Sequence, residues 1–291
     1  MYSNRLIDDL GTVELSIVVC TRNRAEALRE ALPFFAKMET ARTWELIFVD
    51  NGSTDGTKEI LDDFVKSQSI NCRVLYHPQP GLSRARNVGW KAASANIVSF
   101  TDDDCYPQSD YPSSILAAFE HDEKLGFVGG RVLLWDEEDL PITIQTSNEP
   151  VHIDPCSFIS TGIIHGANMA MKKTLLERVG GFDELLGAGA KIPSGEDCDT
   201  LSLICSCGYS GMYDPKLVVF HHHRRKNKDD EIFLMKQYDL GRGAYFVKCI
   251  IEPKRRINAL RNIYWSLMRK NNHKNKFLSV SNYCMRFREL K

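Results

Sequence analysis

No stretch of the 291 residues contains the roughly 18–20 consecutive apolar residues that a membrane-spanning helix requires. The first residues, Met1 to Gly11, carry Arg5, Asp8 and Asp9 and no apolar run, so they do not read as a signal peptide. The expectation is a cytoplasmic protein. There are nine cysteines but no CxxC pair, and the nearest approach, Cys205 and Cys207, has a poor spacing for a zinc knuckle. Cys20 and Cys249 sit in apolar runs, which favours reduced, partly buried thiols over a metal or redox role. No GxGxxG follows the first apolar run and no GxxxxGK[ST] occurs anywhere. A dinucleotide dehydrogenase and a P-loop NTPase are both disfavoured. A bound nucleotide would lack a glycine cradle for its phosphates and would need another counter-charge, for which a metal ion is the obvious candidate.

Net charge is nearly absent too, at −1, but it conceals two unlike parts. Residues 1–220 hold 19 Lys and Arg against 32 Asp and Glu, whereas residues 221–291 hold 18 against 6. The last quarter of the chain therefore has a different task from the rest. Otherwise the composition, 43% hydrophobic and 26% charged, is that of an ordinary globular protein with one large domain or two small ones.

The first hundred residues alternate two kinds of segment. Leu15–Cys20, Trp44–Val49, Cys72–Tyr76 and Ile97–Thr101 are short, apolar and rich in β-branched residues, as strands buried on both faces are. Helices are predicted between them at Ala25–Lys37, Asp55–Ser67 and Leu82–Ala93, the second with Ser53 or Thr54 as cap and Asp55 in its first turn. Such alternation means βαβ units and a parallel sheet, whose ligands bind beyond the carboxyl ends of the strands. All four strand ends carry polar or charged residues: Thr21-Arg22-Asn23-Arg24, Asp50-Asn51-Gly52-Ser53, Gly81 to Asn87, and Asp102-Asp103-Asp104.

Three features suggest chemistry, each with a plainer alternative. Adjacent Asp102, Asp103 and Asp104 repel one another unless a cation relieves them, and hard divalent ions prefer such oxygen ligands. If the strand continues, Asp102 and Asp104 share a face and Asp103 opposes them; the alternative is a solvated acidic turn capping a helix near Asp110. Gly195-Glu196-Asp197-Cys198-Asp199 could supply a general base, or only complement a helix dipole. His221-His222-His223 ends an apolar run, so His221 and His223 would share a face. A mixed His and carboxylate site suits Mn²⁺ better than Mg²⁺, but the triplet beside Arg224 and Arg225 could be basic surface.

Taken in order, SIVVCTRNR, IFVDNGSTDGT, GLSRARNVG, IVSFTDDDCYP, GANMAMKK, GGFDE, GEDCD and DPKLVVFHHH resemble an inverting family 2 glycosyltransferase of the GT-A fold over about residues 13–223. The resemblance implies a GT-A, Rossmann-like α/β fold with a mostly parallel central sheet flanked by helices. It implies a nucleoside-diphosphate sugar donor, with Thr21, Arg22, Asn23, Asp50, Asn51, Arg84, Asn87, Asp102 and Asp103 as its binding residues. Asp50 would accept the N3–H of uracil or thymine, and Arg84 would lie near base or diphosphate. TDDDC matches the DxD motif, making Asp104 the main ligand of Mn²⁺ or Mg²⁺, with Asp102 or Asp103 on the metal or the ribose. GEDCD matches the ED motif, with Asp197 as base and Glu196 beside it. The distance from Pro215 points to His221 as a further metal ligand, with His223 as the fallback. The acceptor implied is a hydroxyl of a glycan or a lipid-linked molecule, as in polysaccharide biosynthesis.

The expected organisation is a GT-A domain over residues 1–223 and a basic helical extension over 224–291. In the extension a helix is predicted from Asp229, weakened at Gly241 and Gly243. Pro253 interrupts it, and a second follows over Lys254–Lys270 with Ile257, Leu260, Ile263, Tyr264 and Leu267 at helical spacing. It could dock on the acidic domain, lie on an anionic membrane, or bind nucleic acid, for which no module is recognisable. Docking with peripheral membrane contact on the inner face is favoured. Two alternatives to the enzyme are a catalytically silent sugar-nucleotide-binding module and a nucleotidyltransferase. The second would carry a glycine-rich basic loop after strand one, and TRNRAE has no glycine.

Overall fold

The computed structural model describes residues 12–120 and 122–268. The reading of Met1–Gly11 and the end of the basic extension lie outside the described residues. The predicted alternation is present: β1 (Leu15–Thr21), α1 (Ala25–Ala36), β2 (Trp44–Asp50), α2 (Thr57–Ser67), β3 (Cys72–Tyr76), α3 (Leu82–Ala92) and β4 (Ile97–Asp102). These strands pair in parallel in the order β3-β2-β1-β4. Their uninterrupted apolar runs are explained by helices on both faces. Ile17 and Val19 pack with Leu28 and Phe35 of α1 and Leu61 of α2, whereas Val18 points the other way, to Ala85 and Trp90 of α3.

One cap differs from expectation. The α2 helix starts at Thr57 with no capping side chain on its N-cap residue, Gly56. Ser53 Oγ instead accepts the Asn23 N–H (2.9 Å), and Asp55 accepts the Thr57 N–H (3.0 Å). The loops after β1 and β2 lock together, and this takes the hydroxyl away from the helix end.

Beyond β4 come β5 (Cys105–Pro107), α4 (Tyr111–Glu120), β6 (Leu125–Leu134), β7 (Val151–Ile153), β8 (Asn168–Lys172), α5 (Lys173–Val179), α6 (Glu196–Ser206) and β9 (Ser210–His221). They extend one nine-stranded sheet in the order β4-β8-β6-β9-β5, with β7 beside β9. This half is mixed: β8 runs antiparallel to β4 and β6, while β6 and β9 are parallel.

The extension forms α7 (Lys228–Ile251) and α8 (Pro253–Met268). The Asn227 side chain caps α7 by accepting the Asp230 N–H. The predicted weakness at Gly241 is absent, because the missing side chain serves packing: a Cβ there would lie 2.0 Å from Ser194 Oγ, in the segment leading to α6. Both helices dock on α6. Tyr245, Cys249 and Ala259 pack with Cys198, and buried Asp199 accepts from Lys248 Nζ (2.6 Å) and Arg255 Nη1 (2.7 Å). The predicted stripe is divided, with Ile263 half-buried, Ile257, Leu260 and Tyr264 exposed, and the Leu267 side chain outside the described residues. Among the described residues no helix is long and apolar enough to cross a membrane.

Candidate active site

The acidic triplet and the histidines meet through strand register. The β5 strand pairs antiparallel with the end of β9, placing Cys105 opposite His221, and the His222 N–H donates to the Asp104 carbonyl (2.9 Å). His221 Nε2 then lies 3.3 Å from Asp104 Oδ1. His222 turns away to the Tyr106 hydroxyl (2.9 Å). His223 shares the face of His221, as alternation requires, but does not offer a ligand atom. Its Nε2 donates to the Leu140 carbonyl (3.0 Å) and its Nδ1 accepts the Arg225 N–H (3.0 Å). Alternation fails in the acidic triplet, because β4 ends at Asp102 and residues 103 and 104 form a turn. Asp103 and Asp104 consequently both pair with Arg24, and Asp102 faces Arg86 at 3.5 Å.

Arg86 joins this cluster to the second acidic motif. Fully buried in α3, it donates to Glu196 Oε1 (2.8 Å) and to the Gly166 carbonyl (3.2 Å) while holding Asp102. Arg84, expected near base or diphosphate, points elsewhere, to Glu184 (3.4 Å). Two residues of helix turn the side-chain direction by about 200°, so only one of the two arginines can point inward. Glu196 and Asp197 open α6, where Gly195 at φ +95° supplies the entry turn. Asp197 is partly exposed, its Oδ2 accepting the Gly166 N–H (3.0 Å) and its Oδ1 the Cys198 N–H (2.7 Å).

These groups line one cavity of about 460 Å³ that includes Arg24, Arg86, Asp102, Asp103, Asp104, His165, Glu196, Asp197 and His221. Gln237, Tyr238 and Arg242 of α7 also line it, as does Arg225. Other expected residues stand outside the lining. Asp50 accepts the Ser53 N–H (2.9 Å), Asn23 at φ +53° accepts the Thr54 N–H (2.7 Å), and Arg22 is exposed. Thr21 is buried next to Asp103. Two amides are occupied by loop geometry. Asn51 bridges the Gln79 carbonyl and the Gly81 N–H (2.6 Å each), and Asn87 clamps both backbone groups of Phe182 (2.8 and 2.9 Å). Arg24 and Arg86 were missed although each lies inside a motif already singled out. Thr143, His165 and Tyr238 reach the cavity from segments with no local signal.

Burial and crowding separate the carboxylates. Burial, reinforced by Asp104, pushes Asp103 up to about 7 against the pull of Arg24. Burial also opposes ionisation of Asp104, but the His221 hydrogen bond and the charges of His221 and Arg24 outweigh it and hold this group low. Asp102 is raised by burial despite Arg86. Burial and the neighbouring Asp197 push Glu196 up to about 7 despite Arg86. Burial lowers His165, which favours a neutral imidazole.

A divalent cation fits this donor set. Ligand atoms of Asp104, Cys105 and His221 lie within 4.8 Å of one another. Burial raises the Cys105 thiol well above its ordinary value, so without a metal it is protonated, and the donors ready to meet a cation are a carboxylate and an imidazole. That oxygen and nitrogen pair suits Mn²⁺, which would share the crowded carboxylates with Arg24 and Arg86.

Residues 16–180 match the family model described as glycosyl transferase family 2. The pre-mycofactocin glycosyltransferase of Mycobacterium tuberculosis is 28% identical over 217 residues, 72% of this chain but 42% of that protein. This chain thus spans about two fifths of that relative's length. Among solved structures, the mannosyltransferase PcManGT from Pyrobaculum calidifontis, in complex with GDP-Man and Mn²⁺, superposes with a TM-score of 0.66 at 21% identity, over 88% of this chain and 72% of that one. Residues 1–349 of S. aureus TarS, in complex with UDP-GlcNAc, superpose with a TM-score of 0.61 at 18% identity, over 93% and 80% of the two chains. These likenesses establish the GT-A fold.

Proposed function

The chain belongs to glycosyl transferase family 2, and from that premise we propose an inverting, metal-dependent transferase that moves a hexosyl group from a nucleoside-diphosphate sugar to a hydroxyl of a glycan or lipid-linked acceptor. The observation that carries the proposal is one shared cavity. It holds the Asp104–His221 pair at one side and, through Arg86, the Glu196–Asp197 pair at the other.

Asp197 is the base. Of the two ED carboxylates it is the more exposed one, and the Gly166 N–H fixes its direction. It takes the proton of the acceptor hydroxyl as the oxygen attacks the anomeric carbon on the face opposite the diphosphate, converting an α-linked donor to a β-linked product. Glu196, locked to Arg86, orients base and acceptor. Mn²⁺ or Mg²⁺, held by Asp104 and His221 with Asp102 or Asp103 assisting, would offset negative charge on the leaving diphosphate. Thr21, Arg22, Asn23 and Asp50, at the adjoining ends of β1 and β2, receive the nucleoside. Asp50 has one oxygen engaged by Ser53 and accepts an N3–H with the other, which favours UDP- or dTDP-sugars.

The division at residue 223 belongs to the same proposal, with residues 1–223 carrying the transfer carboxylates and 224–291 serving placement besides the cavity wall that α7 supplies, for a cytoplasmic enzyme that contacts the inner face of an anionic membrane. Ile257, Leu260 and Tyr264 are 61%, 48% and 51% exposed on α8 and are flanked in sequence by exposed Lys254, Arg256 and Arg261. Each basic residue near such a surface contributes about 1 kcal/mol. A thermal-shift screen of nucleotide sugars with Mn²⁺ present tests the central reading: stabilisation by one uridine or thymidine donor is expected, and none by any nucleotide sugar would sink it.

A further inference from the structure

Residues 135–145, following β6, form a strap laid along residues 221–226. The Leu140 N–H donates to the Arg225 carbonyl (2.8 Å), the Arg224 N–H to Asp139 Oδ2 (2.9 Å), and His223 Nε2 to the Leu140 carbonyl (3.0 Å). Lys226 reaches Asp136 (2.9 Å) and Glu138 (2.7 Å). At the far end, Gln145 exchanges both backbone hydrogen bonds with Val132 (2.8 and 2.9 Å). Secured at both ends, the strap brings Thr143 to the cavity wall with φ +57°, a left-handed conformation that β-branched residues seldom adopt. The strained residue has a specific contact: Thr143 Oγ1 lies 3.1 Å from His221 Nδ1, on the far side of the ring from the Nε2 that faces Asp104.

We propose that Thr143 is a positioning residue, whose hydroxyl holds Nδ1 of His221 so that Nε2, once it releases the proton it shares with Asp104, presents its lone pair beside that carboxylate for a divalent cation. A ligating imidazole needs its other nitrogen engaged if ring orientation and tautomer are to be fixed. The strap supplies that partner, and His223, which shares the face of His221, acts as a rivet holding the strap. Strain at Thr143 persists because bonds on both sides of it leave the backbone no relaxed alternative.

This inference rests on the metal reading of Asp104 and His221, and the test separates the two. The full-length protein is titrated with Mn²⁺ alone, and free Mn²⁺ is followed by electron paramagnetic resonance. Thr143→Ala is expected to weaken Mn²⁺ binding about 10–100-fold, with no loss of melting temperature, and Thr143→Ser to restore it. His221→Ala is the control and should weaken binding at least as much. Unchanged affinity in Thr143→Ala beside a weakened His221→Ala overturns the role of Thr143 alone. So does a Thr143→Ser variant as weak as Thr143→Ala. Wild-type affinity in His221→Ala overturns both the metal reading and the inference built on it.

Discussion

Nη1 of Arg86 lies 2.8 Å from Oε1 of Glu196, a residue 110 positions further along the chain, and the same guanidinium holds Asp102 at 3.5 Å. One buried cation therefore sets the spacing between the acidic cluster at the end of β4 and the acidic pair opening α6.

Replacing Arg86 by Met leaves buried Glu196 and half-buried Asp102 without their counter-charge, and a loss of about 3 kcal/mol is expected. Arg86→Lys keeps a charge but not the fork that reaches both partners, so it should fall between wild type and Arg86→Met. Urea denaturation of the three proteins measures this. A Lys variant as stable as wild type would mean that one contact alone carries the energy.

Asp197→Asn keeps the size of the side chain and, through the remaining oxygen, the hydrogen bond from Gly166, but it gives up the one from Cys198 and removes the base. Transfer should fall by about 10²–10⁴-fold while nucleotide-sugar affinity in calorimetry stays near that of wild type. Lost donor binding in this variant would count against the assignment of Asp197.

Glu196 makes stability depend on pH in a defined direction. Its value rises from 4.5 to about 7 in the folded protein. Between those limits the folded protein binds more protons than the unfolded chain, so stability falls as pH rises. Below about 4.5 the group is neutral in both states, and above 7 the folded state carries a penalty of about 3 kcal/mol. Glu196→Gln should flatten the decline in unfolding free energy between pH 5 and 8. Asp103, raised for the same reason, leaves part of the slope in place. An identical slope in the variant would assign the whole decline to groups other than Glu196.

The membrane reading cannot be tested by cutting the chain near Arg225, since α7 lines the cavity with Gln237 and Tyr238 and buries Tyr245 against α6. Charge on the exposed face of α8 is the cleaner perturbation. Ile257→Glu with Leu260→Glu should abolish flotation with anionic liposomes while melting temperature and Mn²⁺ binding hold. Equal flotation of both proteins would leave α8 as a docking helix only.

Much of the fold was legible because it rests on local pattern. The strands predicted at Leu15–Cys20 and Trp44–Val49 differ from β1 and β2 by one residue each, since β-branched apolar runs bounded by polar turns have few other ways to bury themselves. The acidic motifs were visible for a similar reason: like charges crowded at a strand end or helix start need a physical justification. Sequence alone thus determined the α/β alternation, the edge of the sheet that carries the site, and the carboxylates that stand there.

Tertiary structure decided the partners of those groups. It chose Arg86 over Arg84 because only one direction from α3 leads inward, and His221 over His223 because the strap at Leu140 occupies the second ring. It also made the basic extension part of the cavity wall, although the charge count had separated the two. The first two choices depend on contacts between residues about 80 to 110 positions apart, and the third on contacts about 50 apart. Periodicity and composition report only on neighbours in sequence, whereas buried charge and ring orientation are settled by whatever the rest of the chain brings alongside.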